Sequence, residues 1–149
     1  MNLHPDIKTP ARVAALLCLL GVGLGAGVAL AAADKPDDAA QTAAEAWLKI
    51  VDAGRYDDSW SASARLFQGA VTREQWHQAA AAARGPLGDL ITRKVKSRQY
   101  TTTLPGAPDG QYVVLRFEAV YKAKAAAVET VTVMVDPNGA WRVSGYFIK

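Results

Sequence analysis

Apolar positions recur every three or four residues from residue 40 onward. Ala40, Ala43, Ala44, Trp47, Leu48 and Val51 fall on one stripe, which predicts an amphipathic helix. Asp37 and Asp38 stand at its start, where the helix dipole favours anions, and Gly54 just past its end fits a left-handed cap. A second helix is expected from Arg55 or Tyr56 to about Phe67, with Tyr56, Trp60, Ala64 and Phe67 on one stripe and Gly69 breaking it. Thr72, Arg73, Glu74 and Gln75 have the form of a capping box, so a third helix should run over residues 73–84. Its expected buried stripe is Trp76, Ala79, Ala80 and Ala83, and Gly85-Pro86-Leu87-Gly88 ends it, since proline lacks the donor a helix needs.

Past Gly88 the period shortens to two. Residues 89–102, 111–121, 128–135 and 140–148 read as strands. Asp136-Pro137-Asn138-Gly139 is a hairpin turn, and short links of this kind make neighbouring strands antiparallel. On the second strand Val113, Leu115, Phe117, Ala119 and Tyr121 share the core face, against Tyr112, Arg116 and Glu118. The fourth strand sets Trp141, Val143, Gly145 and Phe147 against Arg142, Ser144 and Tyr146, with Gly145 a place for a bulge or a close approach. The predicted class is α+β: three N-terminal helices packed on a four-stranded antiparallel meander, following an N-terminal signal segment.

That segment sets the address. Lys8 and Arg12 precede residues 13–33, which carry no charge and end in Ala29-Leu30-Ala31 and Ala31-Ala32-Ala33, two usable cleavage sequences. Residues 1–33 are therefore expected to be a secretory signal, cut after Ala31 or Ala33, with residues 34–149 as one domain in the periplasm or outside the cell. The competing reading is an uncleaved anchor, which 21 apolar residues are long enough to provide. Glycine at every second position from Gly21 to Gly27 is poor anchor composition. The one cysteine, Cys18, lies within this segment, so a cleaved chain has no disulfide and no thiolate.

Composition then narrows the chemistry. Hydrophobic residues make up 50% of the chain, but 29 of 149 residues are alanine, so large core side chains are scarcer than that figure implies. Beyond residue 33 there are 15 basic and 13 acidic residues, too even a balance for a nucleic-acid binder. His77 is the only histidine past the signal segment; with no cysteine and no second histidine, no metal site and no cofactor are expected. Beside the Trp76 stripe, it reads as an exposed helix residue rather than a general base. Asp57 and Asp58 suit a helix start better than a catalytic pair, and no Gly-x-Ser-x-Gly turn or phosphate loop occurs. No catalytic residue is assigned.

Two charges stand out by phase. Arg93 is in register with Ile91 and Val95, and Glu129 with Val131, Val133 and Val135, so both start from the apolar face. An unpaired charge there is costly, so they are expected to pair with each other, cap helix ends or line a polar pocket. Tyr121 and Tyr146 are the phenols that such a pocket would recruit. Lys94, Lys96 and Arg98 should share the outer face of the first strand, as a solvated edge or a contact to an anionic envelope surface.

Several dispersed motifs carry a resemblance. Val51-Asp52-Ala53-Gly54-Arg55-Tyr56, Ser59-Trp60, Trp76, Arg84-Gly85-Pro86-Leu87-Gly88, Thr92-Arg93-Lys94, Glu129-Thr130-Val131 and Gly139-Ala140-Trp141-Arg142-Val143 occur in this order, and the chain resembles the family known as domain of unknown function 4019. Members are small secreted bacterial domains, and the resemblance implies no activity. By topology alone, the helices followed by an antiparallel meander resemble the cone of nuclear transport factor 2. Folds of that kind host enzymes and binding modules alike. The functional expectation is a non-enzymatic binding or interaction module, with an envelope protein or a small apolar ligand as partner, no nucleic acid, and membrane contact only if the signal segment is retained. The alternative is a small isomerase-like enzyme in which an acid and a phenol, Glu129 with Tyr121 or Tyr146, converge in a dry apolar cavity. Trp47, Trp60, Trp76 and Trp141 are expected as core anchors first and pocket walls second.

Overall fold

The computed structural model describes residues 35–149. The expected signal segment and both of its cleavage sites lie outside those residues. Four α-helices precede a four-stranded antiparallel sheet: α1 (Pro36–Asp52), α2 (Tyr56–Ala62), α3 (Arg65–Ala70), α4 (Arg73–Arg84), β1 (Leu90–Thr101), β2 (Tyr112–Tyr121), β3 (Lys124–Val135) and β4 (Trp141–Ile148). The sheet order is β1-β2-β3-β4, a meander with β1 and β4 at its edges. No described helix is long and apolar enough to cross a membrane.

Helix α1 follows its pattern. Ala40, Ala44, Trp47, Leu48 and Val51 are buried, and the chain leaves the helix through Gly54 at φ +71°. The Gly54 and Arg55 amides return to the carbonyls of Val51 and Ile50, closing the last turn in a Schellman arrangement. Helix α4 begins on the expected box: the Thr72 hydroxyl accepts from the Gln75 amide and the Gln75 side chain accepts from the Thr72 amide.

The expected second helix is two. Ser63 and Ala64 are extended, with ψ 165° and 152°. The reason is tertiary: the Ala64 amide donates to the Val143 carbonyl of β4 at 2.8 Å, and the next amide, Arg65, donates to Asp136 Oδ1 at 3.0 Å. Two amides a continuous helix would bond internally go instead to the β4 edge and the β3–β4 turn. Gly69 lies inside α3, which ends at Ala70.

The helices cover one face of the sheet. Trp47 and Leu48 of α1, Phe67 of α3 and Trp76 of α4 meet Val113, Leu115 and Phe117 of β2, Val131 and Val133 of β3, and Val143 of β4 in one core. Trp60 and Trp141 pack against its margin. The β2 alternation is as expected, with one exception: Tyr112, on the other face, is also buried. It packs with Ala64 and Met134 under Leu104 and Ala107 of the β1–β2 loop and donates to the Pro108 carbonyl at 2.6 Å.

Bulges shift the outcome in both edge strands. In β4, Thr132 pairs with Gly145 and Val133 with Val143, so Ser144 is the extra residue. A one-residue insertion turns the following side chains over. Tyr146 therefore faces the core and Phe147, expected inside, is 60% exposed. In β1 the register slips at Ile91 and again at Lys96. Ile91 is consequently exposed, and Arg98 falls opposite core-facing Leu115. Its guanidinium meets Asp38 of α1 at 2.5 Å rather than lining up with Lys94 and Lys96.

Candidate functional site

At the end of the core remote from the β3–β4 turn, six polar side chains replace apolar packing. Helix α1 supplies Asp52, α4 supplies Arg84, and the strands supply Arg93, Tyr121, Glu129 and Tyr146. All four residues expected from sequence to form a pocket or buried pair thus belong to one cluster. Arg93 Nε donates to Glu129 Oε2 at 2.5 Å, and Tyr146 donates to Glu129 Oε1 at 2.7 Å.

Arg84 and Asp52 complete it. The buried face of α4 is Trp76, Ala80 and Arg84, spaced by four, whereas Ala79 and Ala83 are exposed. Four-residue spacing tilts the face away from the predicted stripe. It carries a guanidinium into the core, where Arg84 Nη1 donates to Glu129 Oε1 at 2.6 Å and to the Tyr146 hydroxyl at 3.0 Å. Arg84 also contacts Asp52 and the Tyr121 hydroxyl. The signal was in the sequence: Arg84 is eight residues past Trp76 and four past Ala80. A basic residue in a last helical turn also suits the helix dipole, so the charge of Arg84 does not by itself mark the side chain as buried. Asp52, the last residue of α1, stands where the helix dipole disfavours a carboxylate, and its guanidinium partners account for its place there.

Arg93 then closes the ring, gripping Asp52 with two parallel bonds, Nη1 to Oδ2 at 2.6 Å and Nη2 to Oδ1 at 2.9 Å. Two guanidinium cations face two carboxylates. The cluster therefore neutralises itself, which is the condition for holding charge in a core. The Glu129 side chain has no exposed surface, Arg84 is 6% exposed and Arg93 11%, while Asp52 at 21% is the edge nearest water.

Burial disfavours the Asp52 carboxylate, but hydrogen bonds and charge from Arg93 and Arg84 outweigh it and hold Asp52 below the usual 3.8. Burial and the neighbouring Glu129 charge push the Tyr121 phenol up to about 12 and raise Tyr146 further, so both phenols stay protonated. Burial works against both guanidinium charges too. Contact with Tyr146, Tyr121 and Glu129 nonetheless raises Arg84, and contact with Asp52 and Glu129 raises Arg93.

A general base must present a free lone pair to a substrate. Glu129 Oε1 accepts from Arg84, Arg93 and Tyr146, and Oε2 accepts from Arg93, so its carboxylate is occupied. The five clefts described do not include Glu129, Tyr121 or Tyr146 among their walls. One of about 270 Å³ touches the cluster from outside through Arg93, between Glu45, Lys49 and Phe117. Among the described residues no group of three or more His, Cys, Asp or Glu is placed to hold a metal ion. His77 is exposed on α4, with Nδ1 2.8 Å from Asp57 Oδ1.

A second polar device lies nearer the helices. Ser59 of α2 is fully buried; its carbonyl accepts from Trp47 Nε1 at 2.8 Å and its hydroxyl from Trp76 Nε1 at 2.9 Å. Sequence gave no cue to Ser59 beyond its place beside Trp60.

Residues 43–146 match the family model described as protein of unknown function (DUF4019), and the chain belongs to that family. No curated protein and no solved structure matches it.

Proposed function

We propose that this member of the family is an exported binding module, periplasmic or secreted, in which the six-residue cluster is a structural clasp rather than a catalytic centre. The observation that carries this reading is the state of Glu129. Its carboxylate is buried, takes four hydrogen bonds from Arg84, Arg93 and Tyr146, and borders none of the five clefts described. The isomerase-like alternative has its acid and phenol in contact, Glu129 with Tyr146. It lacks space for a substrate between them, and two guanidinium groups occupy the positions a substrate would need. The uncharged residues 13–33, with Lys8 and Arg12 before them, support export.

Binding then falls to the exterior. A photo-crosslinking residue placed at Phe147, the most exposed aromatic, in the full chain expressed with its leader should give a discrete adduct to a lipid or a protein in the cell envelope. The same probe at Ala83, on the exposed side of α4, should give none. Absence of any adduct from Phe147 in cells that export the chain would sink the binding reading.

A further inference from the structure

Charge is segregated between the two layers. The four helices carry seven acidic and four basic residues, and the four strands two acidic and seven basic. The face of the sheet turned away from the helices concentrates the excess. Arg116 and Glu118 are exposed on β2 between buried Leu115, Phe117 and Ala119; Lys94 of β1 stands opposite Glu118. Lys96 pairs with Glu118, and among the described residues Lys94, Arg116 and Lys149 have no ion-pair partner. Lys49, Arg65 and Arg73 of the helical layer also lack one among the described residues, but seven acidic residues share that layer with them, whereas on this face Glu118 is the one acidic strand residue among Lys94, Lys96, Arg116 and Lys149.

The Ser144 bulge puts Phe147 on the same face. It is 60% exposed, opposite Thr130, in the row that also holds Arg116. Two adjoining clefts of about 390 and 380 Å³ run across this surface and share Val128 and Lys149 as walls. An exposed aromatic among unpaired Lys and Arg side chains, on a body whose opposite layer is acidic, is the pattern of a surface that meets anionic headgroups with its apolar tip in the acyl boundary. Like charges oppose a second copy of the chain on this face. The centre of this face is formed by β2 and β3, which are paired on both sides, and the open backbone edges are those of β1 and β4 at its margins.

We infer that the helix-free face of the sheet docks on an anionic phospholipid surface, Lys94, Arg116 and Lys149 meeting lipid phosphates and Phe147 entering the interface. The inference rests on the binding-module reading and names its partner. The apolar residues 13–33 would partition into any bilayer when retained, so the measurement that isolates the face is lipid preference. The full chain, purified without detergent, is floated with vesicles of phosphatidylcholine alone and with phosphatidylglycerol added. The wild type should prefer phosphatidylglycerol, the more so at low salt. The triple variant K94E/R116E/K149E should lose that preference by at least on the order of a hundredfold, since each basic group near an anionic surface contributes about a fivefold factor and the glutamates add repulsion. Phe147→Ser should weaken phosphatidylglycerol binding without changing its salt dependence. A charge-matched variant on the helical layer, K49E/R65E/R73E, should retain it.

Equal partitioning of the wild type into both vesicles, or a preference kept by the triple variant, would overturn the inference. A protein adduct from Phe147 with no lipid preference would remove the lipid inference and leave the binding-module reading standing; no adduct and no preference would remove both.

Discussion

Arg84 and Glu129, 45 positions apart in sequence, meet with Nη1 2.6 Å from Oε1 and so tie the last turn of α4 to the third strand. Neither could be buried alone. Arg84 is the hub of the cluster, since it also touches Asp52, Tyr121 and Tyr146. Replacing it by methionine strands a fully buried carboxylate with fewer partners and should cost about 3–5 kcal/mol. Arg93→Met should cost less, because Glu129 then keeps Arg84 and Tyr146 and Asp52 lies nearer water. The double variant R84M/E129M leaves Arg93 and Asp52 as a self-contained bidentate pair and should recover much of the loss. Urea midpoints report all three; a wild-type midpoint for Arg84→Met would show that the clasp is not structural.

The hydroxyl of Tyr146 can be removed by itself. Tyr146→Phe takes away the 2.7 Å bond to Glu129 and the 3.0 Å bond from Arg84 while keeping the ring against Trp47, 5.4 Å between centroids. Bonds to charged groups contribute about 1.5–3 kcal/mol, so a loss within that range is expected in urea unfolding. A larger loss would mean that the ring itself had moved, which near-ultraviolet circular dichroism would register.

Much of this site was visible along the chain and part of it was not. The two-residue period of β2 and the phase of Arg93 and Glu129 are local properties, written by the alternation of Val, Leu and Phe. Alternation alone sets Tyr146 on the outer face, and the bulge at Ser144 that turns it inward depends on what β4 pairs with and on Ala64 docking at Val143. Neither leaves a mark in the periodicity of β4. The break between α2 and α3 has the same origin, since local preference across Ser63 and Ala64 allows a helix and β4 takes the amide away. Arg84 differs: its spacing from Trp76 and Ala80 is legible, but its charge argues for solvent until its partners are known.

Proton linkage gives the cluster two edges on the pH axis. Asp52 is held below its ordinary value in the folded state, so its contribution is whole above about 3.8 and is lost as pH falls through the folded value. Tyr121 titrates at about 12 when folded and near 10 when unfolded, so its contribution is whole below about 10 and is lost as pH rises from there to about 12. The stability of Asp52→Asn should therefore fall less steeply than wild type on the acid side, and that of Tyr121→Phe less steeply between pH 10 and 12. Parallel wild-type and variant curves in either window would refute the corresponding assignment.

Gly88 and Gly145 should respond differently to alanine. Gly88 has φ +71° and ψ −163°, and a Cβ there would lie 3.2 Å from the Lys122 Cβ at the β2–β3 turn. Conformation and contact both oppose the change, so Gly88→Ala should lose about 1–3 kcal/mol. At Gly145 the added Cβ would meet Thr132 at 3.5 Å, an ordinary contact, with no positive φ to strain. Gly145→Ala should stay within about 0.5 kcal/mol of wild type. Equal midpoints for the two variants would contradict the distinction.

Ser59 offers the sharpest test of the helical layer. Its hydroxyl is the acceptor for Trp76 Nε1 and itself donates to the Tyr56 carbonyl at 2.7 Å, while its carbonyl accepts from Trp47 Nε1. The two indoles sit 5.6 Å apart between centroids at the centre of the core. Ser59→Ala removes only the hydroxyl, so Trp47 keeps its bond to the Ser59 carbonyl and another to Ser63 Oγ at 3.0 Å. Trp76 is left with a buried, unpaired N–H, and an unmet donor of that kind costs about 1–3 kcal/mol. Ser59→Ala should therefore lower the urea midpoint by that amount, and Trp76→Phe in the same background should add less than Trp76→Phe alone, because the orphaned donor is gone. Additive losses in this cycle would show that the Ser59 hydroxyl and the Trp76 indole are not coupled.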